Sequence, residues 1–173
     1  MSLEIERKFL VRDDGWRRQV RDCQRLKQGY LANTRRCSVR VRIAGASAWL
    51  SVKAMQAGPA RAEFEYRIPE SDAAAMIAEF AQGPLVEKLR HRVPVGRHCY
   101  ELDEFEGENR GLVLAEIELG SAAAAFPRPD WLGDEVTDDV RFHNFRLAEQ
   151  PFSGWPPAVR ARVATGRLVG AGE

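Results

Sequence analysis

The chain has 173 residues, of which 45% are hydrophobic and 29% are charged. This length and balance are typical of one soluble globular domain with a sizeable core. With 26 Lys and Arg against 25 Asp and Glu, the net charge of +1 excludes a broadly basic surface, so nucleic acid is not an expected partner. No apolar run approaches the ~20 residues of a membrane span, so no membrane partner is expected.

The N-terminal segment MSLEIERK is highly charged and has no apolar stretch of the kind found in secretory signals. The three cysteines, Cys23, Cys37 and Cys99, are an odd number without metal-ligand spacing, which is typical of free thiols in a reducing compartment. We therefore expect a cytoplasmic protein. The sequence leaves the oligomeric state open, with a homodimer as one option.

Segments in which charged and apolar residues alternate dominate the chain. Side chains two positions apart lie on the same face of a sheet, so each segment predicts a strand with one charged and one apolar face. Residues 25–32 are a weaker eighth candidate strand. The other seven, in chain order, are residues 3–11, 38–43, 48–53, 62–68, 85–93, 98–105 and 112–119.

Helical signals separate these strands. Residues 13–21 form the first, and residues 71–82 form the second, with Ser71 as its N-cap. A third helix is predicted over 137–148, beginning at Thr137.

The last part of the chain has a different composition from the rest. Residues 126–134 form a loop rich in Pro and Gly, and residues 151–173 end in Gly and Ala. We predict one domain over 1–150, followed by a C-terminal extension with one short helix near 158–164 and a frayed tail.

The charged faces of the predicted strands are almost purely ionic. An open sheet with its polar face in water is the common explanation for one such strand, but a solvated face usually mixes Ser, Thr, Asn and Gln with its charges. The acids on these faces are Glu4, Glu6, Glu63, Glu65, Asp103, Glu116 and Glu118. The bases are Lys8, Arg40, Arg42, Lys53, Lys88, Arg90 and Arg92.

A metal-bound polyphosphate suits such a lining. Mg²⁺ and Mn²⁺ take oxygen ligands, which paired carboxylates supply, while Arg and Lys bind phosphate oxygens. A closed, dry core would cost several kcal/mol per ion, so the charged face must be wet or filled by a ligand. Eight short strands with few helices predict an antiparallel barrel or a strongly curved sheet. If the barrel closes with the charged face inward, its interior is a hydrated tunnel.

The ordered series of charged motifs resembles the CYTH domain, also called the triphosphate tunnel metalloenzyme superfamily. The resemblance covers about residues 1–150. The motifs that carry it are 4–8 (EIERK), 40–42 (RVR), 50–53 (LSVK), 63–65 (EFE), 88–90 (KLR), 103–107 (DEFEG), 114–118 (LAEIE), 131–133 (WLG) and 135–141 (EVTDDVR). Phe142 stands where the family often has Tyr, and Ser51 where it often has Thr.

The resemblance implies a mainly β (α+β) fold: an eight-stranded antiparallel β-barrel tunnel with helices packed outside. It implies Mg²⁺ or Mn²⁺ as cofactor and a triphosphate as substrate, most simply inorganic tripolyphosphate. The implied metal-site carboxylates are Glu4, Glu6, Glu116 and Glu118, with Asp103, Glu63 and Glu65 as further contributors. The implied phosphate-binding residues are Lys8, Arg40, Arg42, Lys53, Lys88 and Arg90, and the implied catalytic residues are Lys8, Tyr30 and Lys88.

Other functions stay open at this point. Within the resemblance, thiamine and nucleoside triphosphatases and adenylate cyclase are alternatives, although no base-reading residues are visible. A non-catalytic polyphosphate-binding module is a rival from another class. The complete carboxylate set argues against that module, because binding an anion needs only the basic half of the lining.

Overall fold

A computed structural model of the protein describes residues 5–54, 62–121 and 123–168. Nine antiparallel strands form a single sheet in the order β5-β4-β3-β2-β6-β7-β8-β1-β9. The strands are β1 (Ile5–Val11), β2 (Asp22–Asn33), β3 (Cys37–Ala44), β4 (Ser47–Ala54), β5 (Glu63–Ile68), β6 (Val86–Val95), β7 (His98–Phe105), β8 (Val113–Leu119) and β9 (Leu132–Glu135).

All eight predicted strands are confirmed, and the mainly β class with them. The prediction of a closed eight-stranded barrel is wrong for the described residues in two respects. A ninth strand, β9, pairs with β1, and the edge strands β5 and β9 do not pair with each other, so the sheet is open. Residues 132–134, predicted as part of a loop rich in Pro and Gly, belong to β9. Sequence alternation could not reveal this strand, because its four residues, LGDE, are too few to show a pattern.

The helices lie between or after the strands. The α-helices are α1 (Glu70–Phe80), α2 (Asn144–Glu149) and α3 (Pro157–Val163). Short 3-10 helices span Asp14–Gln19, Gly107–Asn109, Val140–Phe142 and Phe152–Gly154.

Two predicted helix starts are wrong. Pro69, not Ser71, is the N-cap of α1, because the fixed φ of proline suits the turn that leads into the helix. Thr137 begins no helix: the 3-10 turn that follows is capped by Asp139, whose carboxylate accepts from the Arg141 amide at 3.1 Å. The short helix predicted near 158–164 is confirmed as α3.

Apolar side chains from the sheet and the helices form the core in three clusters. One cluster joins Leu10, Phe105 and Leu114 of the sheet to Leu147 of α2 and Val163 of α3. A second lies on the outer face around Trp16, and a third lies under α1. The apolar faces of the strands are thus covered from outside, except on β5, where Phe64 and Tyr66 are exposed. The charged faces are turned toward the inner side of the curved sheet.

The segment after α3 covers the outer edge of β9. The Asp134 amide donates to the Gly166 carbonyl at 2.9 Å, and the Leu168 amide donates to the Asp134 carboxylate at 2.9 Å. A side chain at Gly133 would place its Cβ 2.5 Å from the Gly166 carbonyl oxygen, so this close approach requires glycine. The domain boundary at residue 150 stays a prediction, and the tail beyond residue 168 lies outside the described residues.

The described part of the chain contains no helix that combines the length and the apolarity needed to cross a membrane.

Candidate active site

The inner face of the sheet encloses a cavity of about 1270 Å³, to which strands β1 to β8 all contribute side chains. Asp103 does not line this cavity, and Glu4 lies outside the described residues. The structure brings the remaining predicted site residues together there. They are Glu6, Lys8, Tyr30, Arg40, Arg42, Lys53, Glu63, Glu65, Lys88, Arg90, Glu116 and Glu118.

The register of β1 against β8 places a cation and two carboxylates beside each other. Lys8 is opposite Glu116, and Glu6 is opposite Glu118. The Lys8 ammonium lies 2.8 Å from Glu116 Oε1 and 3.5 Å from Glu6 Oε1. Burial opposes the charge on Lys8, but Glu116 and Glu6 outweigh it and raise the pKa of its ammonium.

Glu6 and Glu116 repel each other. The charge of Glu116, helped by burial, raises the pKa of Glu6, while Lys8 and Arg90 offset part of the effect. Glu116 keeps its charge because Lys8, Lys88 and Arg90 lower its pKa against the cost of burial. A like-charge carboxylate pair facing a cavity is a suitable place for a divalent cation.

The described carboxylates do not form a metal site by themselves. Within residues 5–54, 62–121 and 123–168, no group of three His, Cys, Asp or Glu side chains is close enough to hold a metal ion. Mg²⁺ commonly binds one or two carboxylates and takes its other ligands from water and substrate phosphates. The pair Glu6 and Glu116 therefore fits a metal that arrives with a phosphate ligand.

Asp103 lies behind the cavity wall, where it holds two cations. Its side chain is fully buried and accepts from Lys88 Nζ and from Arg90 Nε, the latter at 2.7 Å. Arg90 also reaches Glu116 at 2.9 Å, and these contacts raise its pKa against the cost of burial. Burial lowers the pKa of Lys88, and Arg90 adds to this effect, while Asp103 opposes it.

A second ionic group lines the cavity on β3, β4 and β5. Arg42 Nη2 lies 3.0 Å from Glu65, and Lys53 Nζ lies 3.2 Å from Glu63. Arg40 is farther from the same two carboxylates, at 3.6 and 3.8 Å. Glu63 and Glu65 thus contact the bases rather than the Glu6–Glu116 pair.

The two arginines keep unused hydrogen-bonding capacity. In the described part of the chain, the buried Nε of Arg40 and the buried Nε of Arg42 have no hydrogen-bond partner. Buried donors without partners are costly unless a ligand satisfies them. Burial and the charge of Arg40 together lower the pKa of Arg42. An anion bound between the two arginines would raise this pKa again.

Tyr30 lies next to these arginines, opposite Arg40 in the β2–β3 register. Its side chain lines the cavity and also belongs to the core cluster that contains Phe105 and Leu147. Burial raises the pKa of Tyr30, and Arg40 opposes this effect. The hydroxyl therefore stays protonated near neutral pH and is able to donate a hydrogen bond.

Sequence reasoning missed several cavity residues from the segment after β9. Thr137 is not a helix cap: its hydroxyl accepts from the Lys8 amide at 3.0 Å and donates to Glu135 at 2.7 Å. Asn144, at the start of α2, places its Oδ1 3.4 Å from Lys88 Nζ. These residues belong to no alternating pattern, so only tertiary packing reveals them.

Known proteins resemble this chain in sequence and in structure. The CYTH domain family model matches residues 2–144. An inorganic triphosphatase from Acetivibrio thermocellus is 39% identical over 155 residues, covering 90% of this chain and 99% of the relative. An inorganic triphosphatase from Nitrosomonas europaea is 39% identical over 152 residues, covering 84% and 96% respectively. The crystal structure of an inorganic triphosphatase superposes with a TM-score of 0.64 at 36% identity, covering 86% of this chain and 95% of that chain. The family match spans most of the chain, and both relatives align along nearly their whole length, so the chain belongs to the CYTH domain family.

Proposed function

We propose that this protein hydrolyses inorganic tripolyphosphate to phosphate and diphosphate, with a divalent metal ion, Mg²⁺ or Mn²⁺, as cofactor. The observation that carries the proposal is one cavity that combines the repelling pair Glu6 and Glu116 with the unpartnered Nε donors of Arg40 and Arg42. A polyphosphate with a bound cation satisfies both groups at once. The relatives named inorganic triphosphatases support the choice of substrate.

The carboxylates on β1 and β8 would hold the metal. Glu6 and Glu116 are the first candidates, and Glu118 faces the same cavity opposite Glu6. Glu4 stays a predicted ligand from the strand pattern. A divalent ion held by these carboxylates would neutralise charge on the triphosphate and would lower the pKa of a bound water.

The bases would bind the phosphate oxygens. Arg40 and Arg42 offer their free Nε donors, and Lys53, Lys88 and Arg90 line the same cavity. Phosphoryl transfer needs mainly positioning and stabilisation of the charge on the transferred and leaving groups. Lys8, next to the carboxylate pair, would stabilise the phosphoryl group that reacts.

Three of the implied metal ligands receive other roles in this proposal. Asp103 is fully buried and holds Lys88 and Arg90 in place. Glu63 and Glu65 fix Lys53 and Arg42 in the same way. Restrained cations lose less side-chain entropy when they bind phosphate, which favours binding.

Tyr30 would donate its hydroxyl hydrogen to a phosphate oxygen, because burial keeps it protonated.

We also place the protein in the cytoplasm, a proposal that the free thiols of Cys23, Cys37 and Cys99 support.

Phosphate release tests the function directly. The purified protein should release phosphate from tripolyphosphate with Mg²⁺ or Mn²⁺, and EDTA should abolish the release. Undiminished turnover in EDTA would refute the metal dependence. ATP serves as the second substrate: ADP and phosphate fit a triphosphatase, whereas cyclic AMP as the main product would favour the cyclase alternative. Tight metal-dependent binding without turnover of any triphosphate would favour the binding module.

A further inference from the structure

Among the residues that the structure describes, strand β5 forms one edge of the sheet and has no strand on the side away from β4. The Ala54 amide donates to the Ala62 carbonyl at 2.9 Å. Because hydrogen-bonded pairs alternate along an antiparallel ladder, the backbones of Phe64 and Tyr66 also bond to β4. The amide and carbonyl groups of the alternate residues of β5 therefore point away from the sheet. These residues are Glu63, Glu65 and Arg67.

The opposite edge of the sheet is largely covered. Gly166 and Leu168 occupy the outer side of β9. On β1, the Lys8 carbonyl accepts from the Val136 amide. Only Ile5–Arg7 among the described residues of β1 therefore have no strand on the side away from β8. The six residues of β5 are thus the longer free edge.

Large apolar side chains accompany this free edge. Phe64 and Tyr66 are 53% and 58% exposed, respectively. Proteins usually protect an edge strand with charges, prolines or bulges. On β5 Phe64 and Tyr66 occupy the face opposite to Glu63, Glu65 and Arg67, and both aromatic residues are exposed and also border the cavity.

The sequence of β5 is complementary to itself in one register. An antiparallel two-fold pairing centred on Tyr66 sets Tyr66 against its own copy and Phe64 against Ile68. On the cavity side, the same register sets Glu65 against Arg67 in both directions. In this register Glu65 of each copy forms a backbone hydrogen-bonded pair with Arg67 of the other. The backbone groups of these two residues are among those that point away from β4.

Neighbouring registers are less favourable. Centring the pair on Glu65 places this carboxylate opposite its own copy, and centring it on Arg67 does the same for two guanidinium groups. Like charges directly opposed across a strand pair are destabilising. The Tyr66 register avoids both repulsions and pairs aromatic with apolar side chains.

We propose that β5 is the interface of a homodimer, in which two copies of this chain pair antiparallel about Tyr66 and extend their sheets into one. Such an isologous contact is the commonest form of protein dimer. It is a small interface of one strand from each chain, so assembly should be reversible and visible in the micromolar concentration range. The second copy's Arg67 would approach Glu65, which holds Arg42 in the cavity.

Sedimentation velocity over a micromolar concentration series tests this proposal. The wild type should move from the mass of one 19.5 kDa chain toward twice that mass. Tyr66→Lys, which opposes two ammonium groups at the two-fold axis, should remain a monomer throughout. Phe80→Lys is the matched control, because Phe80 is 57% exposed but lies at the end of α1; this variant should dimerise like the wild type.

A cross-linking experiment checks the register. Residues at the centre of a non-hydrogen-bonded antiparallel pair are close enough for a disulfide. Tyr66→Cys, in a background with Cys23, Cys37 and Cys99 changed to Ser, should form a covalent dimer on oxidation, and Phe80→Cys should not. A wild type that stays monomeric, as expected if β5 instead pairs with Ile5–Arg7 of its own chain, would overturn the proposal. So would a Tyr66→Lys variant that still dimerises. Neither result would affect the proposed triphosphatase activity, which is measured separately.

Discussion

The ammonium of Lys8 lies 2.8 Å from the carboxylate of Glu116. The motif resemblance implies that Lys8 binds phosphate and that Glu116 binds the metal. In the ligand-free protein the two side chains neutralise each other instead. A metal that binds Glu116 must compete with Lys8, and a phosphate that binds Lys8 must compete with Glu116. Metal and triphosphate together relieve both competitions, so their binding should be mutually dependent.

Lys8→Met should therefore separate the two events. Removing the ammonium frees Glu116 from one of its cations, and Mn²⁺ alone should bind on the order of tenfold more tightly, since a charged hydrogen bond contributes about 1.5–3 kcal/mol. Tripolyphosphate hydrolysis should fall sharply in the same variant. Titration calorimetry with MnCl₂ measures the first effect and phosphate release the second.

Lys27→Met is the control for this pair of measurements. Lys27 is a half-exposed lysine of β2 that lies 3.9 Å from Glu87, and its loss should change neither metal affinity nor turnover. If Lys8→Met binds Mn²⁺ with wild-type affinity, the ion pair does not compete with the metal, and another residue must supply the coupling.

Glu6→Gln and Arg42→Ala should fail in different ways. Glu6→Gln keeps the shape of the side chain but removes charge from the carboxylate pair, so raising the metal concentration should partly restore the rate. Arg42→Ala removes a proposed phosphate contact, and its kcat/KM should fall by roughly 10- to 100-fold at any metal concentration, equivalent to about 1.5–3 kcal/mol.

Steady-state kinetics over a metal series distinguish the two variants. Arg25→Ala is the control, because this arginine is 68% exposed and pairs with Glu106 on the surface. An identical metal response in Glu6→Gln and Arg42→Ala would show that the division into a metal side and a phosphate side is wrong.

The inner face of the sheet could be predicted from the sequence because strand alternation has a period of two. The spacing from Glu4 to Glu6 and Lys8 assigns all three side chains to one face whatever the rest of the fold does. The series of such faces, in order, then predicts a charged interior. For Glu6 and Lys8 the structure places the side chains in that interior.

The division of roles between carboxylates could not be predicted in this way. The register and the shear between strands decide whether a carboxylate lies next to another carboxylate or next to a base. The sequence of a single strand contains neither the register nor the shear. Asp103 meets Lys88 and Arg90 because of the β6–β7 register, and Glu65 meets Arg42 across β4. The contact of Asn144 with Lys88 depends on how α2 packs against the end of the sheet. The local sequence pattern does not predict this packing either.

Arg40→Met should separate ligand binding from the stability of the ligand-free protein. Arg40 lies 3.6 and 3.8 Å from Glu63 and Glu65, which are long contacts, and its charge lowers the pKa of neighbouring Arg42. These attractions and repulsions oppose each other, so the melting temperature without ligand should stay unchanged or rise slightly.

Ligand should stabilise the two proteins differently. Metal with a slowly hydrolysed tripolyphosphate analogue, at a hundredfold excess over its dissociation constant, should stabilise the wild type by about 2.7 kcal/mol. The gain should shrink in Arg40→Met at the same ligand concentration. Thermal melting with and without ligand measures both effects. A variant that melts far below the wild type, with an equal ligand shift, would make Arg40 a structural ion-pair partner instead.

Glu135 links the site to the segment after β9, and its ionisation should contribute to stability. Its carboxylate accepts from Arg7 Nε at 2.7 Å and from the Thr137 hydroxyl at 2.7 Å. The Arg7 hydrogen bond is the largest cause that lowers the pKa of Glu135 below its ordinary value of 4.5, against the cost of burial. A lowered pKa in the folded state means that the folded protein favours the charged carboxylate more than the unfolded chain does.

The pH range of this contribution follows from its sign. The stabilisation is complete above pH 4.5, the ordinary value of this carboxyl, and it is lost as the pH falls through the lower folded-state value. Glu135→Gln should therefore reduce the free energy of unfolding by roughly 1 kcal/mol at neutral pH, because the pair is about one-third exposed. The difference in unfolding free energy between the two proteins should close as the pH falls below 4.5.

Urea denaturation of both proteins across this pH range measures the difference. Glu87→Gln is the control, because Glu87 is half-exposed and its contact with Lys27 is 3.9 Å. A difference that stays constant with pH would mean that the substitution acts through packing around Thr137 and not through the charge of Glu135.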